Sequence, residues 1–402
     1  MPRKRRRESR AQRRDALLRD AMRVDVPSRA DVCVVGGGAA GLVAGIVAAE
    51  SGAHVVVLER DLECGRTILA TGNGRCNFVN RRLDPASYND PVFVGAVCDA
   101  SWLDDVLGFF RECGLAWAEE AEGRLYPLSR QAASVRNVLL ARARRAGVLL
   151  APAREVIDIR LVAGSALVRC QELHGDERCA SLGASSVVLA SGGGMASFAT
   201  NLELSMRAAS PVLCPLACTG IDLAPLDGRR VHTKLSLRRD GHEVAREHGE
   251  VLFRDYGVSG IAAFNLSRHA LAGDKLVLDL LPGLSVEQAV ALAAHTLDGV
   301  LDPTMAKVLL AQYGSRGEAV AHAKRLELRV EGPAESDRAQ VSRGGLSTDQ
   351  FSPATLEAHD APGVYACGEA LDVDGPCGGF NLAWSWKSGM VAGRAAAQAV
   401  QP

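Results

Sequence analysis

The stretch DVCVVGGGAAG, residues 31–41, decides the fold of this 402-residue chain. Its apolar residues 32–35 predict a buried parallel strand, and Gly36, Gly38 and Gly41 form a G-x-G-x-x-G pattern where a helix begins. Such glycines permit a tight turn, a close approach of the backbone to a pyrophosphate, and close packing of the helix on the strand. The helix would also present its positive N-terminus to the phosphates. We therefore predict a dinucleotide site at this turn.

A second predicted strand, residues 54–58, ends at Glu59. An acid roughly 20 residues after the glycine pattern accepts hydrogen bonds from the ribose hydroxyls of a dinucleotide. The glycine pattern alone is as consistent with an ordinary strand-to-helix turn as with a binding site. The binding site is favoured by the whole sequence of elements: a strand, a helix and a second strand, followed by an acid at the expected spacing.

Two further segments are long and unusual strings: CGRTILATGNGRCNFVN, residues 64–80, and GEALDVDGPCGGFNL, residues 368–382. Together with the first glycine pattern, they resemble the bacterial aminoacetone oxidase family of FAD-binding enzymes. That family includes NAD(P)/FAD-dependent oxidoreductases and a bile-acid enone reductase. The resemblance implies an FAD-dependent oxidoreductase. The family usually has Lys where this chain has Thr67, so any role of that Lys does not carry over.

The C-terminal segment also has a physical interpretation. A predicted strand ends at Gly368, and a glycine-rich turn leads into a helix that begins near Asn381. We expect free N–H groups of Asn381, Leu382 and Ala383 to face the part of the flavin where negative charge develops on reduction. Asp374 resembles the acid that holds the ribityl chain or a phosphate-bound water in related FAD domains. An Asx turn is the alternative role for Asp374.

The predicted fold class is α/β, a Rossmann-like FAD-binding domain interrupted by an inserted mixed β-rich and helical cap domain. Strands and helices alternate up to ASGGG, residues 190–194, which resembles the turn that closes the first half of such FAD domains. Alternating polarity around Asp240 and Gly241 then predicts a hairpin, and Ser285 with Gln288 predicts a helix start. The predicted divisions are a tail, 1–28, a first FAD-binding part, 29–194, an inserted substrate domain, 195–335, and a second FAD-binding part, 336–402.

Composition excludes several other classes of protein. With 48% hydrophobic and 23% charged residues the chain can bury a large core, and its net charge of -1 predicts no bulk attraction to nucleic acid. Its 11 Cys, without a CxxC pair or secretory signal, indicate a reducing cytoplasm. No apolar run reaches the roughly 18 residues of a membrane span. Cys214 and Cys218 lack partners at zinc spacing, so we expect no metal site.

The N-terminal segment is an exception to this near-neutral balance. The first 23 residues contain ten basic and three acidic side chains, a net charge of +7. Such a segment is typical of an arm that binds RNA or anionic lipid. We favour two simpler interpretations: a disordered tail over residues 1–28, or a start of translation assigned upstream of Met22.

The expected function is oxidation or reduction of a small organic substrate with FAD, with NAD(P)H as the electron donor. The chain has no second G-x-G-x-x-G pattern after a strand, so NAD(P)H would bind only transiently. One alternative is an amine oxidase that uses oxygen. Another is an RNA-binding or tRNA-modifying flavoprotein that uses the basic arm.

No residue pattern identifies a catalytic acid or base. We expect solvated positions for the histidines of the inserted domain, and packing roles for Tyr256, Cys76 and Cys377 rather than proton transfer or redox chemistry. The histidines are His232, His242, His248 and His269.

Cofactor contacts are predicted along several segments. Arg66, Asn73 and Arg75 lie on a glycine-rich loop with little reason to be buried, which favours contact with flavin or substrate. The full set is Gly36, Gly38, Ala39, Ala40, Gly41, Glu59, Arg60, Arg66, Thr71, Gly72, Asn73, Gly74, Arg75, Val156, Ala190, Ser191, Gly192, Gly368, Glu369, Asp374, Gly375, Asn381, Leu382 and Ala383.

Overall fold

The computed structural model describes residues 9–162, 164–173, 178–192 and 196–400. Its contacts divide the chain into two compact units. One consists of Met1–Ala209 with Arg343–Pro402, and the other is Ser210–Ser342. The second unit therefore begins and ends somewhat further along the chain than the predicted insertion, residues 195–335.

Eleven α-helices and eighteen strands lie within the described residues. The helices are α1 (Arg10–Met22), α2 (Ala39–Glu50), α3 (Pro91–Val97), α4 (Trp102–Glu112), α5 (Ala132–Arg145), α6 (Ala196–Asn201), α7 (Ile261–Ser267), α8 (Val286–Leu292), α9 (Pro303–Tyr313), α10 (Arg316–Lys324) and α11 (Phe380–Gln398). The strands are β1 (Arg29–Val35), β2 (Val55–Leu58), β3 (Val79–Asn80), β4 (Trp117–Glu119), β5 (Arg124–Pro127), β6 (Leu149–Ala151), β7 (Arg154–Val162), β8 (Ser165–Glu172), β9 (Cys179–Leu189), β10 (Met206–Val212), β11 (Leu216–Thr219), β12 (Arg230–Arg239), β13 (His242–Arg254), β14 (Gly257–Ser259), β15 (Lys275–Asp279), β16 (Leu326–Pro333), β17 (Val341–Leu346) and β18 (Val364–Ala366).

A seven-stranded sheet forms the centre of the first unit, in the order β6-β2-β1-β9-β8-β7 with β18 beside β9. The pairs β1–β2, β1–β9, β2–β6 and β9–β18 are parallel, whereas β7 and β8 add antiparallel strands. All four residues of β2 are buried, as expected for a parallel strand covered on both faces. The carboxyl ends of β1, β9 and β18 share one edge of the sheet, where ligands bind in doubly wound folds. This arrangement confirms the predicted α/β Rossmann-like domain.

Helices α2 and α11 cross at positions that have no side chain. A Cβ on Gly389 would lie 2.6 Å from the carbonyl oxygen of Ala40, and a Cβ on Gly393 would lie 2.3 Å from that of Ala44. Only glycine at these two positions of α11 permits the approach. The contact fixes the last helix against the first helix of the dinucleotide-binding unit.

The second unit contains a closed barrel in the order β11-β14-β13-β12-β15-β16. Asp240 and Gly241, at φ 49° and 83°, form the predicted hairpin between β12 and β13. Ser285 and Gln288 form the predicted capping box at the start of α8. Helices α8, α9 and α10 complete the unit, so its mixed β-rich and helical character is confirmed.

Helix α1 differs from the disordered tail expected over residues 1–28. Ser9 Oγ accepts a hydrogen bond from the Gln12 N–H at 3.2 Å, and Gln12 Oε1 accepts one from the Ser9 N–H at 2.9 Å. This capping box supplies the local reason for a helix in a basic segment. Ala21 is buried, and Arg13 lies 3.7 Å from Glu63. Residues 1–8 lie outside the described residues.

Among the described residues, no helix combines the length and the apolar character needed to cross a membrane.

Candidate functional site

The three glycines of the turn between β1 and α2 have three different surroundings. Gly36 has φ 104°, and a Cβ there would lie 2.6 Å from the Ala190 carbonyl oxygen. A Cβ on Gly41 would lie only 1.9 Å from the carbonyl oxygen of Gly36. A Cβ on Gly38 would instead have Thr67 Oγ1, at 3.7 Å, as its nearest described neighbour. Gly36 and Gly41 thus permit packing, whereas a Cβ on Gly38 would meet only this one ordinary contact, which leaves room for a bound group.

The start of α2 has the polarity that a pyrophosphate requires. Gly38 is the N-cap and provides no side-chain hydrogen bond, and the first intrahelical bond runs from the Leu42 N–H to the Gly38 carbonyl at 3.0 Å. The N–H groups of Ala39, Ala40 and Gly41 precede that bond, so they have no acceptor within the helix. A helix N-terminus beside open space suits an anion. The turn therefore fits the phosphates of a dinucleotide.

Glu59 is anchored beside this turn. Its Oε2 accepts a hydrogen bond from the Gly37 N–H at 2.6 Å, and its Oε1 accepts one from the Asp61 N–H at 2.7 Å. Desolvation raises the pKa of this half-buried carboxyl, and the two N–H donors oppose that shift. Each carboxylate oxygen retains further acceptor capacity. The position and remaining acceptors suit the ribose role predicted from the sequence.

Predicted segments from three strand ends converge at this edge of the sheet. The Ala190 N–H donates to the Val35 carbonyl at 2.8 Å, which places the segment Ala190, Ser191 and Gly192 against the first turn. A Cβ on Gly368 would lie 2.7 Å from the Ala40 side chain. Residues 193 and 194 of the predicted turn lie outside the described residues.

Two carboxyl groups follow β18. Burial, together with the nearby charge of Asp374, raises the pKa of Glu369 to about 7. Asp374 is fully buried, and its two oxygens accept from Arg343 Nε at 2.7 Å and from a second guanidinium nitrogen at 2.9 Å. Sequence reasoning missed Arg343 because nothing near it in sequence links it to the turn. Asp374 is thus a bound, charged member of the turn.

The turn between β18 and α11 is held by further side chains. Asn89 Oδ1 accepts from the Asp374 N–H at 2.7 Å. Asn381 Oδ1 accepts from the Gly375 N–H at 2.8 Å, and Asn381 Nδ2 donates to the Gly375 carbonyl at 2.9 Å. The predicted residues Gly375 and Asn381 are therefore brought together, and the Asn381 side chain fixes the loop.

The prediction of a free N–H group on Ala383 is wrong. That group donates to the Gly379 carbonyl at 3.0 Å, because α11 begins at Phe380 rather than at Asn381. The N–H groups that precede the first intrahelical bond are those of Phe380, Asn381 and Leu382. The helix start itself remains available to a ligand, displaced by one residue from the prediction.

The glycine-rich loop after α2 and β2 reverses tightly. Gly72, Asn73, Gly74 and Cys76 all have positive φ, between 53° and 80°. The Thr71 hydroxyl donates to the Ile68 carbonyl at 2.7 Å, so Thr71 stabilises the loop through its side chain.

Asn77, directly after this loop, was not among the predicted site residues. It is 8% exposed, and its Oδ1 has no hydrogen-bond partner within the part of the chain that the structure describes. That oxygen lies 2.9 Å from the place of a Cβ on Gly379, beside the start of α11. The available signal was a polar residue inside an otherwise buried stretch of the quoted motif.

The predicted cationic residues lie beside acids. Arg60 is 4.0 Å from Glu155, and Arg66 is 2.9 Å from Asp61. The Arg75 guanidinium is 2.9 Å from Glu120 and lies over the Tyr126 ring, 4.4 Å from its centroid. The remaining predicted contact, Val156, is buried in β7.

The other candidate side chains have ordinary surroundings. Burial raises the pKa of the Cys76 thiol to about 11, which opposes a reactive thiolate. Cys377 is half-buried. Tyr256 donates to Glu335 Oε1 at 2.8 Å, within the second unit. Four histidines of that unit are exposed, namely His232, His242, His248 and His269. The described residues contain no cluster of three or more side chains that would hold a metal ion.

This fold and the geometry of the first turn define a dinucleotide-binding protein of the Rossmann type. The chain belongs to the family described as HI0933-like protein Rossmann domain, which matches residues 30–395. It is an FAD-dependent oxidoreductase.

Similar proteins extend over nearly the whole chain. A 3-dehydro-bile acid delta(4,6)-reductase of Clostridium scindens is 32% identical, over 91% of this chain and 98% of its own length. A ribosomal RNA dihydrouridine synthase of Escherichia coli is 27% identical, over 90% of this chain and 96% of its own length. A solved structure, the open conformation of a flavocytochrome c3 fumarate reductase, has a TM-score of 0.52 and 15% identity, over 96% of this chain and 81% of that chain. The last similarity concerns the fold alone.

Proposed function

We propose that this enzyme reduces a carbon–carbon double bond conjugated to a carbonyl group in a small organic substrate, with NAD(P)H as the electron donor. The observation that carries the proposal is the 32% identity with the delta(4,6)-reductase along nearly the whole of both chains. The name of the Escherichia coli relative also describes hydrogen added across a double bond, since dihydrouridine is the reduced form of uridine. The names of two relatives with different substrates thus both describe the reduction of a carbon–carbon double bond.

The first turn is the proposed site for the dinucleotide part of FAD. The N–H groups of Ala39, Ala40 and Gly41 would bind the pyrophosphate, because they lack helical acceptors and Gly38 leaves open space in front of them. Glu59 would accept from the ribose hydroxyls. The Ala190–Gly192 segment and Gly368 would complete the walls through their backbone.

The second turn is the proposed site for the flavin ring. The N–H groups of Phe380, Asn381 and Leu382 would stabilise the negative charge of the reduced ring, since they lie at the positive end of the 19-residue helix α11. Bound FAD supplies hydride transfer, and the net reaction adds a hydride from NAD(P)H and a proton to the two carbons of the double bond.

The proposal is tested with the purified flavoprotein under anaerobic conditions. NADH and then NADPH are added while the flavin absorbance near roughly 450 nm is followed. We expect rapid bleaching with one of them, and recovery of the colour on addition of a 3-oxo-Δ4 steroid or a smaller conjugated enone. A flavin that neither nucleotide reduces, but that an amine reduces and oxygen reoxidises, would contradict the proposal and support the amine-oxidase alternative.

A second candidate function is action on uracil bases of RNA. It is favoured by the 27% identity with the ribosomal RNA dihydrouridine synthase and by the net charge of +7 on the first 23 residues. If this candidate is correct, a uridine-containing ribosomal RNA fragment binds at about 50 mM salt and is released steeply as salt rises. Deletion of residues 1–21 tests the contribution of the basic segment. Absence of RNA binding by the full chain at low salt would exclude this candidate.

A further inference from the structure

We propose that the side-chain amide of Asn77 binds the pyrimidine edge of the flavin ring and thereby orients the ring at the start of α11. This inference rests on the proposed flavin site at the second turn. Asn77 is 8% exposed, yet its Oδ1 has no hydrogen-bond partner within the described residues. A buried polar atom without a partner has lost its hydrogen bonds to water and gained none in return, so such an atom indicates a ligand that completes its hydrogen bonding.

The surroundings of Asn77 place this oxygen at the proposed ring site. Asn77 Oδ1 lies 2.9 Å from the place of a Cβ on Gly379, the N-cap of α11. On the other side, a Cβ on Gly72 would lie 2.9 Å from the Asn77 backbone nitrogen. Two left-handed glycines, at φ 56° and 99°, thus let the backbone pack closely around this one buried amide.

Asn80, a second buried asparagine nearby, is an example of a side-chain amide with a purely structural role. Asn80 is 3% exposed, and its Nδ2 donates to the carbonyls of Gly378 at 2.8 Å and Glu122 at 3.3 Å. Its Oδ1 accepts from the Arg82 N–H at 2.8 Å. The protein itself satisfies both ends of Asn80, whereas no described residue donates to the oxygen of Asn77. The two residues therefore have different roles although both are buried beside the same turn.

The chemistry of Asn77 Oδ1 limits which group of the cofactor can bind it. An amide oxygen accepts hydrogen bonds, so an ionised phosphate, which only accepts, does not satisfy it. The pyrimidine edge of a flavin offers one donor, N3–H, between two carbonyl acceptors. A carboxamide has one acceptor and an NH₂ donor group, so it matches two adjacent positions of that edge. A ribityl hydroxyl is the alternative donor, and the experiment separates the two.

The test compares FAD with 3-methyl-FAD, in which a methyl group replaces the N3 hydrogen. Each flavin is titrated into flavin-stripped full-length protein, and binding is followed by the quenching of flavin fluorescence. For the unmodified protein we expect at least about tenfold tighter binding of FAD than of 3-methyl-FAD, the effect of one buried hydrogen bond. For Asn77→Ala we expect the two affinities to agree within about a factor of two, because the acceptor is gone and space for the methyl group is created.

Asn80→Ala is the matched control, since it removes a buried amide that the protein already satisfies. We expect this variant to lose stability but to retain the preference for FAD. Equal affinities in the unmodified protein, or an unchanged preference in Asn77→Ala, would overturn the role of Asn77. Failure of the unmodified protein to bind either flavin would instead overturn the proposed flavin site itself.

A stability measurement covers the case in which Asn77→Ala does not fold. In flavin-stripped protein the Asn77 oxygen has no partner among the residues that the structure describes, so Asn77→Leu is expected to unfold at the same denaturant concentration or a higher one. With FAD present, the same variant is expected to gain less stability than the unmodified protein. A flavin-stripped Asn77→Leu protein that is clearly less stable would contradict the inference, because it would show that the amide is already satisfied.

Discussion

The two glycine-rich turns of the first unit differ in what fixes their shape. The turn from β1 to α2 is set by the backbone, through a positive φ at Gly36 and the contact of Gly41 with the carbonyl of Gly36. The turn from β18 to α11 is longer, and side chains hold it, among them Asn89 and Arg343. The first turn therefore depends on the absence of side chains, whereas the second depends on particular partners. Substitutions in the two turns should fail in different ways.

The largest effect is expected for Gly41→Ala. The new Cβ would lie 1.9 Å from the Gly36 carbonyl oxygen, a backbone atom that has nowhere to move. We expect a loss of more than about 4 kcal/mol in the free energy of unfolding, or no folded protein at all, measured by denaturant unfolding. Gly38→Ala is the control, because its Cβ meets only an ordinary contact at 3.7 Å and should cost less than about 1 kcal/mol. Similar losses in both variants would contradict the distinction between packing and open glycines.

Arg343→Met tests the dependence of the second turn on its partners. The substitution leaves the carboxylate of Asp374 buried without the guanidinium that binds both of its oxygens. We expect a loss of about 3 kcal/mol in the free energy of unfolding. The double variant Arg343→Met with Asp374→Asn should recover at least half of that loss, since no charge is left buried. A double variant as unstable as Arg343→Met alone would argue against the charge as the cause.

Gly38→Val separates ligand binding from folding at the first turn. The side chain would enter the open space in front of α2 and exclude the pyrophosphate. We expect at least about a hundredfold loss of FAD affinity, equal to about 2.7 kcal/mol, with an unchanged circular dichroism spectrum. If the purified variant retains as much FAD as the unmodified protein, the cofactor does not approach this turn.

The smallest effect is expected for the pH dependence that Glu369 introduces at the second turn. Its pKa is raised to about 7 in the folded protein, so the folded state holds the proton that the unfolded chain releases. The stability that Glu369 contributes is therefore fully present below its ordinary pKa of 4.5 and is lost as pH rises through about 7, by roughly 1–3 kcal/mol. Glu369→Gln should reduce this difference between unfolding at pH 5 and at pH 8. The same pH dependence in Glu369→Gln would assign it to another group.

The first turn could be predicted almost completely from the sequence. The roles of its three glycines depend on backbone geometry within a few residues, and Glu59 follows at the spacing that the βαβ unit imposes. The second turn could be predicted only as a glycine-rich helix start, because its partners Asn89 and Arg343 are 285 and 31 positions away from Asp374. No local pattern links residues at such separations.

Two errors have local causes. The prediction of a free N–H group on Ala383 is wrong because the predicted helix start, near Asn381, lies one residue after the observed start at Phe380. The charge of the N-terminal segment favours a disordered tail, whereas Ser9 and Gln12 have the spacing of a capping box, which favours the observed helix. The sequence marks Asn77 only as a polar residue in a buried stretch, whereas the structure shows that its side-chain oxygen has no donor among the described residues.

The central claim is that the first turn holds the dinucleotide end of FAD and the second turn holds the flavin end. Titration of flavin-stripped protein with ADP, which contains the pyrophosphate and adenosine but no flavin, tests this most directly. We predict that ADP binds the unmodified protein and Asn77→Ala equally well, and that Gly38→Val abolishes its binding. Loss of ADP affinity in Asn77→Ala, or retained affinity in Gly38→Val, would contradict the division of roles between the two turns.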